Sequence, residues 1–166
     1  MALSFAPLLV GELIGREVAF KAVSDTSTKI YDLMRGLVIE EEYPEISEVL
    51  TKLDIQTTLA IIDPLLNEIS NKKNISSESD YLEESNTENN KHLDLDRSFY
   101  ALKDIITQIH DLLQQIKDVI SNHKQKYFFY WRTPVFLPLL KLLELKKDIL
   151  DQRFNLFMRL LTICES

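Results

Sequence analysis

Glycine is nearly absent. There are three in 166 residues, all before residue 37, which leaves little material for tight hairpins or phosphate-cradling loops and favours an all-helical chain. The single cysteine, Cys164, excludes an internal disulfide. At an apolar helical spacing near the C-terminus it reads as a small core or rim residue, not a reactive thiol. Uninterrupted apolar runs are missing too. The opening Met1-Ala-Leu-Ser-Phe-Ala-Pro-Leu-Leu-Val10 has no basic residues before it, and Glu12, Arg16, Glu17 and Lys21 follow well short of the roughly 20 apolar residues that a membrane span needs. Neither a signal peptide nor a transmembrane helix is expected, which places the protein inside the cell and not among secreted proteins. No nucleophile elbow, paired-cysteine motif, Gly-rich phosphate loop or internal repeat is found. Carboxylate-bridged metal sites in helical bundles use a Glu three residues before a His, and His92, His110 and His123 are preceded there by Asn89, Thr107 and Ile120. The expectation is a non-enzymatic protein with no catalytic residue, metal ligand or cofactor.

What is present is one domain's worth of chain, residues 1–166, with 45% apolar and 27% charged side chains, an ordinary balance for a domain with its own core. The net charge of −7 is unevenly spread. Residues 1–70 hold 5 basic against 12 acidic groups, residues 71–97 hold 4 against 7, and residues 98–166 hold 10 against 7. Nucleic-acid binding needs clustered Lys and Arg, so the chain as a whole argues against it, and only the last third could tolerate an anionic partner.

In chain order, Leu9, Leu13, Phe20, Val23, Ile30 and Met34 recur at helical steps, with Pro7 fitting a first turn and Gly36 a stop, so the first helix is expected over Pro7–Met34. Ser24–Thr28 is poor helix-interior material and is expected to break or bend it. Gly11, Gly15, Ala19 and Ala22 form a small-residue strip that lets another backbone approach closely, inside the bundle, in a self-associated pair or at a membrane. Glu40–Pro44 is an acidic link. Pro44-Glu45-Ile46 opens a short helix to about Leu53, and Asp54 caps a further one through Ile55, Leu59, Ile62, Leu66 and Ile69 that Pro64 should kink. Residues 71–96 are dominated by Asn, Ser and charge and read as a long flexible loop within the domain, open to docking or modification.

From Arg97 the pattern sharpens. Leu102, Ile106, Ile109, Leu113, Ile116, Ile120, His123 and Tyr127 alternate steps of four and three, with Ile105, Leu112 and Val119 widening the seam. The last helix carries two apolar rows. One is Leu143, Leu150, Phe154, Phe157, Leu161 and Cys164; the other is Val135, Leu139, Leu142, Ile149, Leu156, Leu160 and Ile163. Such a helix is expected to be surrounded. Each arm spans roughly 40 Å at 1.5 Å per residue, and folding them together gives a C-terminal antiparallel hairpin in an all-α bundle of about four long helices. His110 and His123 read as a solvated helix residue and an interfacial packing residue.

The two arms are joined by a corner where Tyr127, Phe128, Phe129, Tyr130, Trp131 and Phe136 crowd among Lys124, Lys126 and Arg132, just before Pro134 and Pro138. It reads as a hydrophobic plug sealing the bundle end or as a partner surface, with a single-stranded nucleic-acid platform the least favoured. The candidate partner-binding residues are Lys126, Tyr127, Tyr130, Trp131 and Arg132, with Trp131 assigned to the plug and Arg132 to partner contact. The partner is expected to be a protein or a second copy of the chain.

The run Ile120-Ser-Asn-His-Lys-Gln-Lys-Tyr-Phe-Phe-Tyr-Trp-Arg-Thr-Pro134, followed by Lys146-Lys-Asp-Ile-Leu-Asp-Gln-Arg153, resembles a pattern in uncharacterised helical proteins of nucleocytoplasmic large DNA viruses. The Asn-, Ile- and Lys-rich loop is similar to theirs in character. This resemblance, confined to about residues 120–153, implies a viral protein acting by assembly or by binding a host factor, in host cytoplasm or virion. The apolar small-residue N-terminus is similar to helical membrane-targeting domains of fungal cell-death proteins, which implies the alternative of a membrane-active protein that inserts its first helix.

Overall fold

The computed structural model describes residues 6–39, 43–76, 86–125 and 135–165, and the side-chain surroundings of residues 17–39, 43–69, 93–125 and 135–164. These form five helices and, among the described residues, no strand: α1 (Ala6–Ile39), α2 (Pro44–Leu53), α3 (Ile55–Ser76), α4 (Asn86–Lys124) and α5 (Leu137–Glu165). Cross-helix partners give the directions. Arg153 and Lys146 of α5 reach Ala101 and Gln108 of α4, so these two run antiparallel. Phe20 packs on Phe99, and Tyr43, just beyond α1, reaches His123, so α1 runs parallel to α4. Tyr31 pairs with Gln56 and Ser27 faces Asp63, so α3 returns along α1. Tyr43 meets Phe136 and Lys52 meets Glu144, so α2 descends beside the start of α5. Taken together, α2 and α3 are one descending arm with a break, and the architecture is an up-down-up-down bundle of four arms closed by the α4–α5 hairpin.

The expected α4 seam is the core. Leu102, Ile106, Ile109, Leu113 and Ile116 are fully buried, Ile120 nearly so, and Ile105 and Leu112 extend the buried width. That width serves two neighbours, because α4 packs against both α5 and α1. Phe99 marks the junction, with its ring 4.7 Å from Phe20 of α1 at 83° and 6.3 Å from Phe157 of α5. Edge-to-face contacts of this kind add about 0.5–1.5 kcal/mol beyond area burial.

The break at Asp54 has a local cause. Its backbone is left-handed, φ 46° and ψ 41°, a conformation that Asp tolerates better than most residues. Its carboxylate accepts a 2.6 Å hydrogen bond from Thr57 Oγ1. The α2 arm thus ends and α3 begins anew within one residue, while Ile46, Leu50, Ile55 and Leu59 all stay buried on either side.

Several expectations are corrected. α1 is not broken at Ser24–Thr28, where Thr26 and Thr28 donate their hydroxyls to the Ala22 and Ser24 carbonyls four residues back, at 2.7 and 3.1 Å, and so do not compete for backbone N–H groups. It also passes through Gly36 to Ile39, because Leu37 is needed in the core. The stretch 71–96 is not loop throughout: α3 continues to Ser76, α4 opens at Asn86, and Leu95 is buried with Ser98 and Phe99 beside it. Residues 77–85, with Tyr81 and Leu82, lie outside the described residues. The proline at which a kink is expected does not end α3, which continues through Pro64 with no N–H there for the Ala60 carbonyl. Finally, α5 is not surrounded. Its Leu143, Leu150, Phe157 row is buried, but Leu142, Leu156 and Ile163 of the second row are exposed.

Two stability tests follow directly. A methyl group added at Gly36 meets nothing within 4 Å, and its φ is not positive, so Gly36→Ala should stabilise by about 0.5–1 kcal/mol, read as a rise of a few degrees in a thermal melt. Ile116 is fully buried at mid-seam. Ile116→Asp should therefore cost more than the ~2–5 kcal/mol of the lost aliphatic side chain, since it also buries an unpaired carboxylate. A denaturation midpoint unchanged from wild type would show that the seam faces water.

Candidate functional site

The candidate residues Lys126, Tyr127, Tyr130, Trp131 and Arg132 lie outside the described residues, as does all of 126–134. The structure does define the helix ends on either side of them. α4 ends at Lys124 and α5 starts at Leu137, with Phe136 buried just before it. The Phe136 ring stands edge-on to Tyr43, centroids 5.5 Å apart at 79°. The Tyr43 hydroxyl lies 3.4 Å from His123 Nδ1. His123 is thus the interfacial packing residue that the seam periodicity implied. Tyr43 was missed by the sequence reading because it sits in an acidic link. The detectable signal was an aromatic immediately before Pro44, at the N-cap of α2, where its carbonyl accepts the Ile46 N–H.

The second half of the viral-like pattern is packing chemistry. Lys146 Nζ donates to Gln108 Oε1 at 2.6 Å, Gln108 Nε2 donates to Asp104 Oδ2 at 2.7 Å, and Arg153 donates to both Asp104 Oδ2 and the Ala101 carbonyl. This chain of bonds ties α5 to α4 over two turns. The Gln108 and Arg153 bonds hold the Asp104 carboxyl below its ordinary pKa. Lys147 is buried along its stem and donates to both carboxylate oxygens of Asp151, at 2.7 and 2.6 Å. His110, partly exposed, bonds its neighbour Asp111 at 3.0 Å.

Beyond this clasp the outer face of α5 is apolar. Leu142, Leu156 and Ile163 expose 39%, 52% and 50% of their surface, Leu145 exposes 53%, and Val135, just before the helix, 76%. Leu142, part-buried Ile149, Leu156 and Ile163 recur every seven residues along α5, about 100° around the helix from the buried row, and Leu145 lies one turn before Ile149 on the same side. Among the described residues, six of the twelve exposed large apolar ones fall from Val135 to Ile163, so this is a patch and not scatter.

A groove of about 550 Å³ lies between the end of α1 and the α2–α3 break, lined by Met34, Val38, Ile39 and Leu50 with Arg35 and Asp54 at its rim. In the α1–α3 interface, Ser27 Oγ and Asp63 Oδ1 are buried, and neither makes an aligned hydrogen bond. Burial pushes the Asp63 carboxyl above its ordinary pKa, and the Ser27 hydroxyl beside it offsets only part of this. Burial, and then the Asp63 charge, raise the Tyr31 phenol as well. Among the described residues no three His, Cys, Asp or Glu side chains are grouped to hold a metal ion, and no helix is long and apolar enough to cross a membrane.

The comparisons return nothing: the chain matches no family model, no curated protein and no solved structure.

The α1–α3 interface generates a pH test. Asp63 holds its proton to higher pH in the folded than in the unfolded chain, so its contribution is fully favourable below the ordinary value of 3.8 and is lost as pH rises through the folded pKa. Asp63→Asn cannot ionise. Its stability advantage over wild type in denaturant melts should therefore be near zero at about pH 3.5 and should grow toward pH 7. A gap that stays flat with pH would mean that Asp63 is solvated.

Proposed function

We propose that this is a non-enzymatic helical interaction protein, whose bundle acts as a rigid presenter for the aromatic and basic corner and for the outer face of α5. The observation that carries the reading is the apolar row on α5: the domain buries one row of that helix, while in the second Leu142, Leu156 and Ile163 are exposed beside Leu139, Ile149 and Leu160, which are part-buried against the core. The clasp through Lys146 and Arg153 and the closure of Phe136 over Tyr43 give both surfaces a fixed base, which lowers the ordering cost that binding would otherwise incur. The viral resemblance supplies the setting: assembly or host-factor binding inside the cell. Insertion of α1 into a membrane is the weaker reading. Ala19 of its small-residue strip is in the core with Val23, Ile30, Met34 and Leu37, and all five would have to leave it.

The test separates folding from binding at the corner. Trp131→Ala, in the plug role, should cost about 3–5 kcal/mol of stability. Arg132→Ala should stay within about 0.5 kcal/mol of wild type and lose a partner recovered by the wild-type chain in affinity capture with mass spectrometry. A fully stable Trp131→Ala protein sinks the plug, and an Arg132→Ala chain that recovers every wild-type partner sinks the corner as a binding surface.

A further inference from the structure

The outer row of α5 reads the same from either end. Val135, Leu142, Ile149, Leu156 and Ile163 alternate β-branched, Leu, β-branched, Leu, β-branched, and Ile149 is the midpoint. A two-fold axis through Ile149 lays Leu142 on the copy's Leu156, with Val135, just before the helix, at the end where the copy's Ile163 lies, which is the self-complementary condition for an isologous interface. We propose that α5 is the interface of an antiparallel homodimer, its outer row packing against the same row of a second copy. This rests on the interaction reading above and names its partner.

Three observations favour this occupant. The first is area. The exposed fractions of Val135, Leu142, Leu145, Leu156 and Ile163 amount to an apolar surface on the order of 500 Å² per copy, at the upper end of what a lone monomer shows. Two such surfaces bury about 1,000 Å² before polar rims are counted, the lower edge of specific interfaces. The second is length. Leu142 to Ile163 spans roughly 30 Å of helix, three heptads of seam. The third is the clasp. Lys146 and Arg153 flank the row and are turned onto Gln108, Asp104 and the Ala101 carbonyl of their own chain, which draws two cations away from the seam. A parallel pairing would instead put Arg159 against its own copy inside the seam, whereas the antiparallel one sets it opposite Leu139. In the antiparallel dimer Asp148 meets its own copy beside the axis and Lys141 comes near the copy's Arg159, while Lys146 lies across from the copy's Arg153 with both turned onto α4 of their own chains.

Sedimentation equilibrium of the full chain should show a monomer–dimer transition with a constant on the order of 10 µM. It should not weaken steeply as NaCl is raised, because the seam is apolar. Leu156→Glu, at an exposed site, should remain monomeric at twentyfold that concentration with an unchanged thermal melt. Asp148→Asn should dimerise a few-fold more tightly. In a Cys164→Ser background, an equimolar mixture of Leu142→Cys and Leu156→Cys chains should form the mixed disulfide in preference to either homodimer. A wild-type chain that stays monomeric at 200 µM overturns the second copy, and so does preferential Leu142→Cys homodimer formation, which marks a parallel seam. The corner reading fails separately, since Arg132→Ala should dimerise as wild type does.

Discussion

The burial of α4 on two sides is the constraint on which the rest of the bundle depends. Its apolar surface is wider than one neighbour can cover, with Ile105 and Leu112 on one edge of the seam and Ile106 and Leu113 on the other, all at or near zero exposure. Each fully buried aliphatic side chain contributes about 1.5–3 kcal/mol relative to exposure, so leaving either edge wet would cost several side chains' worth. Two helices are therefore required against α4, and the chain supplies α1 and α5. Phe99 touches both through Phe20 and Phe157, which sets their height along α4. The antiparallel register with α5 is then fixed a second time by the polar clasp, whose geometry a slip of one residue would break.

The descending α2–α3 arm is bound differently. α2 lies against α1 and α5, while α3 packs mainly on α1. Its interface contains a buried polar pair, Ser27 Oγ and Asp63 Oδ1, and Asp63 stands one residue ahead of a proline that removes a helical N–H. Each of these weakens α3 against α1 relative to α5 against α4. Stability is expected to be uneven across the fold on these grounds, with α3 opening before the hairpin does.

What the sequence made legible follows from what periodicity reports. A three–four alternation of Ile and Leu over α4 states that one face is apolar, and a face so wide and so free of charge has to be interior. For α5 the same kind of pattern, doubled, led to the wrong expectation of enclosure, since spacing records that a row is apolar and not whether a neighbour exists to cover it. Gly36 misled in the other direction: as a stop signal it is sound only if nothing beyond it must be buried, and Leu37 must be. Leu95 was hidden in a composition dominated by Asn, Ser and charge, where one or two core residues do not shift the average. The candidate corner itself, Lys126–Arg132, was legible as a concentration of chemistry and lies outside the described residues; the meeting of Tyr43 with Phe136 and His123 at the neighbouring ends of α4 and α5 depends on a residue that only the fold brings there.

The two long C-terminal helices thus use one seven-residue period in opposite ways. On α4 it generates a seam that α1 and α5 close, so the repeat is spent on the protein's own stability. On α5 it occurs twice, about 100° apart: the row containing Leu143, Leu150 and Phe157 is buried, and the other is part-buried at Leu139, Ile149 and Leu160 and exposed at Leu142, Leu156 and Ile163. A second row would be unnecessary for a helix whose only task was to complete the bundle, and its Leu and Ile residues could be polar without loss to the core, since surface substitutions there change stability little. Retaining them adds to the apolar surface that promotes association in solution. An outer row on the helix most firmly anchored to the core, flanked by Lys146 and Arg153 that are already engaged with α4, is the arrangement that a preformed binding face requires, because neither the backbone nor its flanking cations must be reordered when the row is covered.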